Sequence, residues 1–337
     1  MKRIITVILS LAASLVVMAQ VRITTPETEL IIKADKGADL QILYFGARLS
    51  DADAANIEAA GVPGHSAYRA YGLWCASEAS LGVTHADGNL STSLKVESVM
   101  QSDVIDNSIV TKVVMKDAVY PFYVTVCYRA YQDVDMIETW TEIANLGKKP
   151  VTLTRFDSGY LPVRVGDVWL SHLHGTWAAE GLLVQEPLQR GMKVIKNKDG
   201  SRNSHTDHAE VMFSLDGKPQ ENTGRVIGAA LCYSGNYELR IDTRDTDYHE
   251  FYAGINPDNS SYKLESKEVF MTPELAFTYS DEGLSGASRN FHKWGRTYKL
   301  AHGDKLRKIL LNSWEGVYFD INEPGMDQMM ADIAYMG

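Results

Sequence analysis

His172 and His174 stand one residue apart in HLHGTW, so in a strand both rings project from one side, a spacing that a metal ion can use. No third ligand lies nearby, and packing or surface exposure accounts for this pair, as it does for His205 and His208; no metal is inferred. Cys75, Cys127 and Cys232 are widely spaced, odd in number and form no C-x-x-C pair, which indicates neither a zinc site nor a disulfide framework. Cys127 in FYVTVCYRA and Cys232 in GAALCYSG lie in strand-like surroundings and read as buried small hydrophobes. There is no P-loop, no dinucleotide fingerprint and no G-x-S-x-G, which leaves phosphate transfer, redox and serine-hydrolase chemistry without support, and no cofactor is inferred.

Asn312, Ser313, Trp314 and Glu315 offer another chemistry. Tryptophan has a flat apolar face that covers a sugar ring. Polar and aromatic residues at the carboxyl end of a barrel strand are candidates for substrate contact. Position alone leaves two readings open: Trp314 and Glu315 touch substrate, or Trp314 plugs a barrel mouth and Glu315 is a solvated loop residue.

The elements that must position these residues differ along the chain. From about Val21 to Tyr279, short runs rich in Val, Ile, Thr and Tyr are broken by Asp, Gly, Asn and Pro; LQILYF (40–45), SIVTKVVM (108–115) and VTLTRF (151–156) are examples. In MIETWTEI (136–143), Met136, Glu138, Trp140 and Glu142 alternate with Ile137, Thr139, Thr141 and Ile143, the period of a half-buried strand. About fifteen such strands without long amphipathic helices between them cannot form a parallel sheet, whose neighbours need helical crossovers. They predict an antiparallel sandwich of unusual size. Asp87-Gly88-Asn89 and Ser234-Gly235-Asn236 read as turns between strands.

After Glu282 the pattern changes. Ser285 is placed to cap a helix on which Phe291, Trp294 and Tyr298 make one aromatic stripe, and this helix joins two domains. Lys308-Ile-Leu-Leu311 reads as a strand buried on both faces, followed by a loop and a helix opened by Pro324, with Met326, Met329, Met330, Ile333 and Met336 facing a core. One βα unit cannot bury its own apolar faces, so residues 308–337 are expected to be the opening of a larger barrel domain.

Composition sets further bounds. Over 337 residues, 45% hydrophobic and 23% charged, the chain is an ordinary globular sequence. A net charge of −10 argues against a nucleic-acid partner, because phosphate backbones are bound through a surplus of Lys and Arg. Lys2 and Arg3, the apolar run Ile4–Val17 and Val17-Met18-Ala19 before Gln20 form an export signal, so residues 1–19 are expected to be removed. That run is shorter than the ~20 residues that cross a bilayer. No membrane span is expected in the mature chain, which would be periplasmic or extracellular.

Several segments together resemble the glycoside hydrolase family 36 α-galactosidases: EASLGVTHADGNLST (78–92), HGTWAAE (174–180), IGAALCYSGNYE (227–238), AGIN (253–256), FMTPELAFTYSDEGLSGASRNFH (270–292) and LLNSWEGVYFDINE (310–323). Their order and coverage carry the resemblance. It implies a mainly β chain: an export signal (1–19), a large antiparallel β-supersandwich (20–282), a linker helix (283–307) and the first βα unit of a (β/α)8 barrel (308–337). The implied activity is retaining hydrolysis of terminal α-galactosyl residues of oligosaccharides.

Retention requires two carboxyl groups roughly 5 Å apart. In the family both are aspartates on later barrel strands, so no catalytic residue is assigned and the 337-residue chain alone is expected to be inactive. Trp314 matches a tryptophan that lines the family's galactose pocket, and Glu315 stands beside it. The resemblance also implies association between copies through the β domain. Tyr71-Gly72 precede the segment that supplies an intersubunit arginine in many members, but here Ser77 stands at the arginine and Ala79-Ser80 replace Pro-Ala. Two alternatives are an α-N-acetylgalactosaminidase of the same fold and a non-catalytic carbohydrate-binding sandwich.

Overall fold

Alternation becomes burial in the strand Phe122–Tyr131, where Phe122, Val124, Val126, Tyr128 and Ala130 point into a core while Tyr123, Thr125 and Arg129 are only partly covered. The computed structural model describes residues 20–59, 64–72, 78–163, 166–200, 206–245 and 248–336. The export signal expected at 1–19, Cys75, Ser77 and His205 lie outside the described residues. Within them are twenty strands in three sheets, and every ladder between those strands is antiparallel.

A ten-stranded sheet runs in the order 179–187, 169–176, 207–214, 226–232, 274–280, 137–145, 122–131, 108–117 and 94–101, with 268–271 also paired to 137–145. A six-stranded sheet runs 191–196, 237–245, 248–255, 151–163 and 262–264, with 81–84 also paired to 151–163. Their inner faces meet in one apolar core, where Phe213 of the long sheet meets Phe251 of the short one edge-to-face at 5.2 Å. A four-stranded sheet from Gln20 to Ser66 joins this core through Phe45, whose ring lies 5.1 Å from that of Phe277. The size of the sandwich follows from these three sheets sharing one interior.

Ile137–Asn145 departs from the half-buried expectation, because it is central in the long sheet and Glu138 and Trp140 on its outer side are buried too. Glu138 is fully covered, paired with Arg129 at 2.5 Å and accepting from the Tyr131 hydroxyl at 3.0 Å. Its partners make that burial tolerable.

The helix Gly283–Trp294 packs on the outer face of the long sheet, and the Phe291 ring lies 2.9 Å from where a Cβ on Gly228 would stand. Ser285 does not cap it. The helix starts two residues earlier, at Gly283, whose φ of +67° and approach to the 220–223 backbone exclude a side chain. The backbone N–H groups of Leu284 and Ser285 donate to the carbonyls of Gln220 and Glu221, so the first turn is satisfied without a hydroxyl, and Ser285 hydrogen-bonds Glu221 instead.

Residues up to Trp294 form one compact unit and Gly295–Gly337 a second. Tyr298 falls in a π-helical turn, Gly295–Lys299, of the second unit. The strand expected at 308–311 is not formed: Ile309 and Leu310 have no ladder partner among the described residues and are each 87% exposed. A strand exists only through its neighbours' N–H and C=O groups. The helix after it does form, Glu323–Met336, with Met326, Met329 and Ile333 partly covered and Met330 and Met336 exposed.

Candidate functional site

The second unit holds the residues expected to touch substrate. Asn312 turns the chain by accepting the Trp314 N–H on its side-chain oxygen at 3.0 Å. One helical turn follows, Trp314–Val317, in which Val317 donates to the Ser313 carbonyl at 3.0 Å. Tyr318 then takes a φ of +46°, a conformation costly for a non-glycine residue, and the chain reverses. This reversal brings Tyr318 and Phe319 edge-on to the indole, with ring centres 5.5 and 4.9 Å away. The Met329 methyl lies 2.5 Å from where a Cβ on Gly316 would stand, so the loop sits close against the helix Glu323–Met336 and a side chain here would displace that methyl.

Trp314 is thus held on two sides yet remains 45% exposed, an apolar platform able to stack on a ring. Glu315 is exposed and forms no hydrogen bond or ion pair among the described residues. The two are consecutive helical positions, about 100° apart around the axis, so they do not face one ligand from the same side.

The histidines separate. His172 is buried against Glu186 at 3.3 Å, and Glu186 also pairs with Lys193 at 2.5 Å. Burial, then Lys193, lowers the His172 pKa and keeps the ring neutral. His174 is exposed and bonds Asp207 at 2.8 Å, while His208 lies 3.6 Å from Glu210. Among the described residues no group of three His, Cys, Asp or Glu side chains is arranged to hold a metal ion. Cys127 is buried, its thiol pKa pushed up by burial and then by Glu142. Cys232, expected to be buried, is exposed, because it is the last residue of its strand, where the chain leaves the sheet.

One constellation was not anticipated from the sequence: a layer of paired charges on one face of the short sheet. Arg240, its side chain 4% exposed, bonds Asp157, reaches Glu78 at 2.9 Å and Glu238 at 3.2 Å, and lies 4.9 Å over the Tyr252 ring. Arg155 meets Glu238 at 3.1 Å. In the neighbouring row, Arg69 meets Glu250 at 2.5 Å, and Glu250 also accepts from the hydroxyls of Tyr160 and Tyr248 at 3.0 and 2.8 Å. Burial raises the Asp157 carboxyl to about 6 against the pull of Arg240 and Arg155. The signal was present as Glu238, Arg240, Asp242 and Arg244 at every second position, but alternate charges ordinarily mark a solvated face. Here the face is covered by the chain around Arg69 and Glu78, which the arginines hold. These groups pair mainly with one another, which suits structure rather than catalysis.

Residues 38–265 match the sequence profile of the glycosyl hydrolase family 36 N-terminal domain, and residues 269–337 that of melibiase. The α-galactosidase AgaA of Geobacillus stearothermophilus is 31% identical over 229 residues, which are 67% of this chain and 31% of that protein. Alpha-galactosidase C of Emericella nidulans is 29% identical over 216 residues, 62% of this chain and 28% of that protein. The matched stretch therefore spans about a third of these relatives' length. Among solved structures, AgaA in complex with raffinose superposes with a TM-score of 0.83 at 24% identity, covering 94% of this chain and 49% of that one. The α-galactosidase of Lactobacillus brevis gives 0.81 at 22%, covering 94% and 47%.

Proposed function

Because the chain belongs to glycoside hydrolase family 36, we propose that it is the N-terminal part of an exported, retaining α-galactosidase that removes terminal α-galactosyl residues from oligosaccharides. The observation that carries this reading is the succession of two profiles, the N-terminal domain over the sandwich and melibiase from residue 269 onward, with the exposed indole of Trp314 inside the second. Relatives were crystallised with raffinose and stachyose, and neutral galactosides of that kind are the substrates proposed here.

In this reading Trp314 covers the apolar face of the galactosyl ring and Glu315 is a neighbouring, less directly placed contact. The attacking carboxylate and the acid/base lie on barrel strands outside the 337 residues. In the same reading the export signal expected at 1–19 directs the enzyme to the periplasm or outside the cell. Copies associate through the β domain.

The test is an assay of the enzyme from the complete reading frame on nitrophenyl α-galactoside and its 2-acetamido analogue. Turnover of the first is expected; turnover of the second alone would make it an α-N-acetylgalactosaminidase. Trp314→Ala should lower kcat/KM on the galactoside by about tenfold or more, since a stacking face is lost. The 337-residue chain by itself should show no turnover, and a stop codon directly after residue 337 would favour a binding sandwich instead.

A further inference from the structure

A cleft of about 280 Å³ opens in the sandwich unit where Gln41–Ala47, the end of Val151–Val163, Val226–Cys232 and Glu274–Ser280 converge. Its wall mixes aromatic surface, from Tyr44, Phe45 and Tyr279, with the guanidinium of Arg225. The register explains part of the grouping, because Ile227 pairs with Tyr279 and Arg225 directly precedes the strand Val226–Cys232. Tyr44, Phe45 and Tyr279 are each partly exposed.

The polar atoms of this wall are held but not exhausted. Tyr44 donates its hydroxyl to the Ala47 carbonyl at 2.7 Å, which fixes the ring at the rim. Arg225 is oriented by Asp216 through Nε at 2.9 Å and through Nη2, and its Nη1 has no partner among the described residues. The Tyr279 hydroxyl likewise makes no hydrogen bond among them. Burial raises the pKa of both tyrosines, Tyr44 to about 12, so both stay protonated donors.

The ligand class follows from charge, shape and size. Asp216 cancels the charge of Arg225, so an anionic ligand finds no unopposed cation here. Aromatic faces with a few directed donors suit a ring that has an apolar C–H face and several hydroxyls at its edge. The volume lies just below the roughly 300–1,000 Å³ of pockets for drug-sized ligands, which fits a single ring. We propose that this cleft binds one pyranose unit of a neutral oligosaccharide, with Tyr44 and Tyr279 as the aromatic walls and Arg225 Nη1 and the Tyr279 hydroxyl as donors to its hydroxyls. The site would hold glycan on the sandwich itself, and the proposal does not depend on the role of Trp314.

Saturation-transfer NMR of the 337-residue chain with raffinose, and with galacturonate as a charged comparison, tests it. Raffinose signals should persist in Trp314→Ala and fall about tenfold in affinity in Tyr279→Ala, the loss expected for a stacking wall with its donor. Tyr279→Phe keeps the ring and removes only the hydroxyl, so a severalfold loss there with an unchanged circular dichroism spectrum shows that the effect is not unfolding. Unchanged raffinose binding in both Tyr279 variants would overturn the proposal. So would binding abolished by Trp314→Ala alone, an outcome that leaves the proposed substrate contact standing. Tighter binding of galacturonate than of raffinose, or no raffinose binding by the unaltered chain at tens of millimolar, would also overturn it.

Discussion

Two helices with apolar stripes meet different fates in the two units. Gly283–Trp294 buries Gly283, Gly286, Ala287 and Trp294, whereas Glu323–Met336 buries none of its residues. The first lies on a finished sheet whose small residues, Gly228 above all, leave room for Phe291. The second has as its neighbour the short aromatic loop around Trp314, which touches it at Gly316. Among the described residues from Gly295 onward, none is buried. Amphipathic pattern is therefore a statement about what a helix can bury, and burial itself belongs to the surface opposite it.

If that contrast is right, substitutions should weigh heavily in the sandwich and lightly in the second unit. The largest effect is expected for Arg240→Ala, which leaves Asp157 buried without its main cation and Glu238 with Arg155 alone; urea unfolding should show a loss of about 3–5 kcal/mol. A loss below about 1 kcal/mol would mean that the charge layer is hydrated rather than sealed.

Asp157 should make stability depend on pH. Its folded-state pKa is raised to about 6 from an ordinary value near 3.8, so its protonated form is favoured by folding. The stabilisation is complete below about pH 4 and is lost as pH rises through 6, by roughly 2–3 kcal/mol. Urea midpoints measured at pH 4, 5, 6 and 7 for the natural chain and for Asp157→Asn should differ in slope across this window. Equal slopes would remove Asp157 as the cause.

Gly283→Val should cost about 2 kcal/mol, because the side chain meets the 220–223 backbone and φ is positive. The loss should appear as a lower thermal midpoint of the sandwich, together with exposure of Trp294 read by its fluorescence. Ile309→Ser should be nearly silent, within about 0.5 kcal/mol, as for other exposed positions. A destabilisation as large as that of Gly283→Val would show that 308–311 is buried in solution.

Much of the sandwich was legible because period two is written locally: Phe122, Val124 and Val126 point one way whatever the sheet around them. The turn at Asp87-Gly88-Asn89 was legible for the same reason, and Gly88 has the positive φ, 86°, that such a turn uses. Ser285 misled because a hydroxyl before an apolar stripe is only one way to satisfy a first turn, and the carbonyls of Gln220 and Glu221 arrive from 64 residues away in the case of Glu221. Trp314 was visible through its residue type and neighbours, while its edge-on clamp by Tyr318 and Phe319 depends on a reversal at Tyr318 that no side-chain pattern announces.

By itself the sequence determined the strand-rich architecture, the change of character after Glu282 and the family segments from Glu78 to Glu323, all of which rest on near neighbours in the chain. Tertiary structure alone decided that the face bearing Glu238, Arg240 and Glu250 would be covered and paired, that Glu138 would be sealed, and that Arg225, Tyr44 and Tyr279 would share one cleft. The physical reason is the same in each case. Alternation fixes which side of a strand a residue occupies, but only the sheet or segment arriving from elsewhere fixes whether that side meets water, a counter-charge or an open groove.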